Sequence, residues 1–291
     1  MSSLPAFRLR VHRGTLWLIA AVAAVLAAQL PAAAAAPNYV SLGDSYTAGP
    51  LIPNQIAPFG CLKSDRNYSH LAAPSIGLPL RDPSCSGAET VDMTQPQDVT
   101  PGPNPPQFNS LAADTRVVTL GIGGNDIGFT GIIEDCASPT PFGRRCQNRY
   151  VVDGRDEISA RIAATAPKVA AVLQGIRQRS PAARIYVVNY LPIFPETGVG
   201  CWPQIPVSWS DAPYLRSKQR ELNAMLATQA AANGAALIDV YRAGIGRDAC
   251  KSAGVRWVEP IVPATLAAPV HPNLRGMQGV APVVAAAVGP G

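Results

Sequence analysis

Charged side chains are scarce in this chain: Asp, Glu, Lys and Arg make up 15% of 291 residues, against 47% hydrophobic ones. That excludes intrinsic disorder over the bulk of the sequence, which needs low hydrophobicity and high net charge. A basic patch is missing too. The formal net charge is +5, but three of the 24 Lys and Arg, namely Arg8, Arg10 and Arg13, precede every acid; without them 21 basic side chains face 19 acidic ones. Nucleic-acid binders carry a basic face or stripe, so nucleic acid is not an expected partner. Histidine occurs three times, and beyond the amino-terminal segment only His70 and His271 remain. None of the six cysteines sits in a CxxC pair, so zinc-ligand spacing is absent and no metal is expected. After residue 36 no apolar run is long enough to span a bilayer, which takes about 20 residues.

What the chain does have begins with Arg8, Arg10 and Arg13, then an apolar run from Leu16 to Leu30, a breaker at Pro31, and the small residues Ala32 to Ala36. This is the layout of a secretory signal peptide. Gln29 and Pro31 interrupt the stretch, which favours a cleaved signal over an uncleaved anchor. The expectation is a signal over residues 1–36, a single catalytic domain over residues 37–291, and a secreted or envelope-associated product. Export changes the meaning of Cys61, Cys85, Cys136, Cys146, Cys201 and Cys250: an even number outside the cytosol implies three disulfides. Fifteen pairings are possible in principle, and sequential pairing is the simplest.

Tyr39–Leu42, Arg116–Leu120, Arg184–Asn189 and Ala236–Val240 are short apolar runs, with a further short strand near Leu78–Arg81. Such runs suit strands buried on both faces of a parallel sheet. Three-and-four spacing of apolar residues predicts helices over Asp153–Arg179 and Asp211–Ala232, and small residues form a terminal helix over Asn273–Val288. Alternation of strand and helix points to a three-layer α/β/α sandwich with a central parallel sheet. Pro50–Gly60 and Gln95–Asn109, rich in Pro, Asn and Gln, take no regular assignment; long loops of this kind are usually functional or mobile.

Chemistry collects where these strands end. Gly43-Asp44-Ser45 follows the first strand, and ligands bind outside the carboxyl ends of strands in open parallel sheets. Alone, the triplet is weak evidence for catalysis and reads first as a helix cap. Gly121-Ile122-Gly123-Gly124-Asn125-Asp126 follows another strand. A dinucleotide fingerprint would need glycine where Asp126 stands, whereas Asn125 offers a side-chain N–H₂ donor. His271, ahead of the terminal helix, suits general-base work. His70 falls in an amphipathic pattern and reads as structural. A serine, a base and oxyanion donors are the parts of an acyl-transfer site. The G-x-S-x-G elbow of α/β-hydrolases is absent, since Thr47 occupies its last position.

The first block, Tyr39 through Gly49, together with Cys85-Ser86-Gly87-Ala88, Gly123-Gly124-Asn125-Asp126 and His271-Pro272, resembles the four ordered blocks of the SGNH (GDSL) hydrolases. Within that family the six cysteines are similar to those of secreted actinobacterial lipases and esterases with three disulfides. The resemblance implies a flavodoxin-like α/β/α sandwich and an ester hydrolase without metal or cofactor. It implies Ser45 as nucleophile, with the Ser45 and Gly87 N–H groups and the Asn125 side chain as oxyanion donors, and His271 as base. The family places an aspartate where Ala268 stands here, so a backbone carbonyl between Ala267 and Pro269 is expected to orient His271, giving a Ser-His dyad. The expected partner is a small-molecule or lipid ester, with the chain monomeric. A phospholipase, thioesterase or carbohydrate deacetylase on the same site, or a non-catalytic exported binding protein, are the alternatives.

Overall fold

The computed structural model describes residues 38–143 and 145–291; the expected signal segment lies outside the described residues. Five parallel strands form the central sheet: β1 Tyr39–Gly43, β2 Leu80–Arg81, β3 Val117–Gly121, β4 Arg184–Val188 and β5 Ala236–Ile238. Their spatial order is β2-β1-β3-β4-β5. Every residue of β1 and β3 is buried, as is β4 after Arg184, which is why these runs are apolar without alternation. The edge strands β2 and β5 are short, which limits the unpaired backbone at the sheet margins. All five begin within two residues of their expected positions.

The principal helices are α1 Ser45–Ala48, α2 Tyr68–Ile76, α3 Phe129–Asp135, α4 Gln147–Tyr150, α5 Glu157–Arg179, α6 Ala212–Ala232, α7 Val240–Ala243 and α8 Leu274–Val288. The connection through α2 leads from β1 to one edge, and those through α5 and α6 lead from β3 to the other. Right-handed crossovers moving in opposite directions lay their helices on opposite faces, so α2 and α5–α6 sandwich the sheet. Helix α8 packs on α2, and α5 on α6.

The order reverses between β1 and β3, and these strands pair in register from Tyr39 opposite Val117 to Gly43 opposite Gly121. Both therefore end at the same height, and the segments that follow them emerge side by side. A crevice at such a switch point is where open α/β sheets bind ligands. A side chain at Gly43 would collide with the Thr47 hydroxyl and meet the Gly121 carbonyl at 2.7 Å, so the close approach requires glycine.

Two assignments change. The helix expected from Asp153 starts at Glu157, because Val151–Val152 and Arg155–Asp156 pair as a hairpin. Asp153 and Gly154 take φ of 50° and 74°, the two left-handed residues of a tight hairpin turn, and Asp156 then caps α5 by accepting from the Ser159 N–H at 3.1 Å. The Pro50–Gly60 stretch supplies Gln55–Ile56, paired with Lys63–Ser64. Gln95–Asn109 is pinned to the sheet: the Gln107 amide accepts from Gly43 N at 2.8 Å and donates to Gly43 O at 2.9 Å. Disulfides join Cys61–Cys85, Cys136–Cys146 and Cys201–Cys250, with sequence separations of 24, 10 and 49.

Candidate active site

Asp44 follows β1 and caps α1, its carboxylate accepting from Tyr46 N at 2.9 Å. Ser45 is thus the first residue of a single helical turn closed by Gly49 at φ 76°, and its side chain is directed at the crevice. Ser45 Oγ lies 2.8 Å from His271 Nε2, across 226 residues of sequence. On the other side of the ring, His271 Nδ1 lies 2.7 Å from the Pro269 carbonyl oxygen. A carbonyl can only accept, so Nδ1 carries the proton, and neutral Nε2 is left bare to accept from the serine hydroxyl. Burial moves the His271 pKa below 6.5, although the Pro269 carbonyl favours the charged ring.

The loop before His271 is built around a carboxylate that the sequence does not single out as a site residue. Glu259 is fully buried and accepts from Arg256 Nη2 at 2.6 Å, Asn273 Nδ2 at 2.7 Å, Thr265 Oγ1 at 2.8 Å and Ala264 N at 2.9 Å. Burial alone would raise its pKa, but these donors hold it down at about 2. Its backbone brackets the histidine: Glu259 N donates to His271 O at 2.9 Å and Val270 N donates to Glu259 O at 3.1 Å. Val270 sits at φ 59°, a conformation β-branched residues almost never adopt. The Tyr46 hydroxyl fixes it by donating to Val270 O at 2.8 Å.

Gly87, at φ 82°, lies on a turn tied to both neighbouring segments. Cys85 N donates to Gly43 O at 3.1 Å, two residues before Ser45, and Asn125 Nδ2 donates to Ala88 O at 2.9 Å. An Asn amide has two N–H donors, and the Ala88 contact uses one. The Cys61–Cys85 bridge holds the start of this turn.

Tyr190 ties the β1 and β3 ends together, and no local motif announces it. Its hydroxyl donates to Asp44 Oδ2 at 2.5 Å and accepts from Gly124 N at 2.7 Å. Burial pushes the Asp44 carboxyl up to about 7, against the lowering effect of the Tyr190 and Tyr46 hydrogen bonds. Asp126 points away from the crevice, accepting from Thr90 Oγ1 at 2.5 Å. His70 sits on α2 against Asn67, 3.0 Å away, and Asp82, 3.3 Å away. Among the described residues no three His, Cys, Asp or Glu converge as a metal site.

From Ser45 and His271 a narrow, solvent-open cavity runs between α3, α5 and α6. Isoleucine, leucine and phenylalanine dominate its lining. A serine hydroxyl, a bare imidazole nitrogen and amide donors at the head of an apolar pocket can support acyl transfer.

The chain matches the GDSL-like lipase/acylhydrolase family over residues 41–278. It is 38% identical over 251 residues to Lipase 2 of Streptomyces coelicolor, covering 84% of this chain and 83% of that protein. Lipase 1 of the same organism is 31% identical over 278 residues, covering 94% and 95%. Among solved structures, phospholipase A1 from Streptomyces albidoflavus superposes with a TM-score of 0.72 at 25% identity, covering 87% of this chain and 99% of that one. The extracellular lipase of Streptomyces rimosus superposes with a TM-score of 0.66 at 27% identity, covering 87% and 100%.

Proposed function

The chain belongs to the GDSL-like lipase/acylhydrolase family and is a carboxylic ester hydrolase, and on that premise we propose that it works through Ser45 and His271 as a dyad. The observation that carries this reading is the 2.8 Å contact between Ser45 Oγ and His271 Nε2 at the head of an apolar cavity. Ser45 Oγ attacks the ester carbonyl carbon while His271 Nε2 takes its proton. The carbonyl electrons move onto oxygen, where the Ser45 and Gly87 N–H groups and the second Asn125 N–H receive them. Collapse re-forms the carbonyl, and the imidazolium protonates the departing alcohol. Water, deprotonated by the same nitrogen, then attacks the acyl carbon; the bond to Ser45 Oγ breaks, the imidazolium returns the proton to Oγ, and the acid leaves. Pro269 O holds Nδ1–H throughout and so keeps Nε2 turned to the serine.

Residues 1–36 are a secretion signal and residues 37–291 the catalytic domain on this reading, with the mature protein a secreted monomer acting on lipid esters. The likeness to an extracellular lipase and the three disulfides support the location. A phospholipid ester is the second reading, supported by the likeness to a phospholipase A1. Hydrolysis of neutral and phospholipid esters, with and without a serine-reactive phosphonate, tests both readings; phosphonate-insensitive turnover would refute the Ser45 mechanism.

Two further outcomes are expected. Asn125→Ala should lower kcat by roughly 10²- to 10³-fold with a smaller change in KM, because an oxyanion donor is used most in the transition state. A change confined to KM would assign Asn125 to ground-state binding instead. The base must be neutral, and burial lowers the His271 pKa, so activity falls as pH drops through a midpoint below 6.5. The kcat/KM profile measures that limb. Asp44→Asn should leave its midpoint in place, since the Asp44 carboxylate bonds to Tyr46 and Tyr190; a displaced midpoint would assign the limb to Asp44.

A further inference from the structure

Two ladders of contacts give the direction of the cavity. On α6, Asn223 holds Tyr190 N and O, each at 3.0 Å, and the Tyr190 hydroxyl reaches the turn that carries the nucleophile. One helical turn earlier, Gln219 holds Leu191 O at 2.7 Å and Ile193 N at 3.1 Å. Lys218 and Leu215 precede it, so the path leads away from Ser45 toward the α6 N-terminus. On α5, a β-carbon at Gly123 would meet Thr165 at 3.5 Å, while Ile158, two turns nearer the N-terminus, lines the cavity. Both helices therefore lead to one far end.

Lys218 crosses from α6 to α5 there. Its Nζ lies 2.7 Å from Asp156 Oδ2, 2.6 Å from Ser159 Oγ and 2.9 Å from Glu221 Oε2. An ammonium has three N–H donors, and these partners take all of them, leaving the aliphatic stem for the cavity wall. Burial alone would lower the Lys218 pKa, but pairing with Asp156 and Glu221 holds it above its ordinary value, so the plug stays charged.

We propose that this cavity takes the acyl chain of the substrate and that Lys218, anchored on Asp156, is the stop that limits the enzyme to acyl chains of medium length. The inference rests on the ester-hydrolase reading of Ser45. From Leu222 to Lys218 and Leu215 the α6 wall rises about 6–10 Å, and within it each buried methylene adds binding worth about fourfold. Beyond it, a longer chain must press against the Lys218 stem, which the three oxygens bonded to its ammonium hold in place, and the gain ends.

The test holds the alcohol constant. Using p-nitrophenyl esters from acetyl to palmitoyl, kcat/KM of the unaltered protein should climb to a maximum near octanoyl and then fall. Lys218→Ala should raise the palmitoyl-to-octanoyl ratio by about tenfold or more, the worth of about two methylenes. Asp156 keeps its bonds to Ser159 N and the Tyr214 hydroxyl, both 3.1 Å, so α5 retains its cap. Leu215→Trp, which adds bulk at the same end, should move the maximum to shorter chains. If both variants keep the parent's chain-length profile, the stop is overturned while the ester-hydrolase reading stands. If the parent cleaves none of the esters and the phosphonate labels nothing, the Ser45 reading itself fails.

Discussion

Ser45→Ala is expected to yield a folded protein whose kcat on esters is lower by roughly 10⁴- to 10⁶-fold, the scale set by other serine nucleophiles. Alanine has no atom to form the acyl bond, and what survives is the action of the remaining donors on water-mediated hydrolysis. Stability should change little. The Ser45 hydroxyl bonds to His271 Nε2, whereas the turn itself is closed by Gly49 N donating to Ser45 O at 3.0 Å, which alanine preserves. His271→Ala should cost a similar amount, and the double variant no more than either alone, because nucleophile and base act as a unit. Kinetics, a thermal melt and phosphonate labelling check the set. Activity within tenfold of the parent in Ser45→Ala would remove the mechanism.

That Ser45, Gly87, Asn125 and His271 could be named as candidates from sequence reflects how local each element is. Each stands in a short contiguous block, three of them beside an apolar run or a cysteine, and strands buried on both faces leave a continuous apolar signature. The braces around them are not local. Tyr190 meets Asp44 across 146 residues and Tyr46 meets Val270 across 224; neither pair has a spacing to read. Ala268 announces that the motif itself supplies no carboxylate to His271, but which carbonyl takes its place depends on the left-handed backbone of Val270. The hairpin at Asp153–Gly154 had a readable signal, the Asp-Gly turn pair, overshadowed by the helical periodicity that starts just after it. Arg256 and Glu259, three residues apart, carried a weak hint of an ion pair, whereas the burial that gives the pair its effect appears only in the fold.

Glu259→Ala should have the second largest effect, through the loop rather than the imidazole. No Glu259 oxygen contacts the His271 ring; the carboxylate instead gathers Arg256, Asn273, Thr265 and Ala264 around the segment that presents Pro269 O. Removing one member of a buried ion pair strands the other, at a cost of roughly 3–5 kcal/mol. The pH linkage gives a similar size. The Glu259 pKa is about 2 in the fold against 4.5 in its ordinary state, a depression worth about 3 kcal/mol at roughly 1.4 kcal/mol per unit. Because the folded value is the lower one, this stabilisation is complete above about 4.5 and is lost as pH falls toward 2. Glu259→Ala should therefore melt earlier than the parent at neutral pH, and the difference should shrink as the buffer approaches pH 2. In the folded fraction kcat should also fall, since Arg256, Asn273, Thr265 and Ala264 lose the carboxylate that gathers them around the segment presenting Pro269 O, although the backbone bonds of residue 259 to His271 and Val270 remain. By contrast, Asp239→Asn and Asp248→Asn should stay within about tenfold of the parent, far short of the loss when a triad carboxylate is removed. Asp239 bonds to Asn189 and Arg242 N, and Asp248 to Cys250 N, so neither reaches the site. If Glu259→Ala melts with the parent and keeps its kcat, the loop is held by the backbone alone and the carboxylate is dispensable.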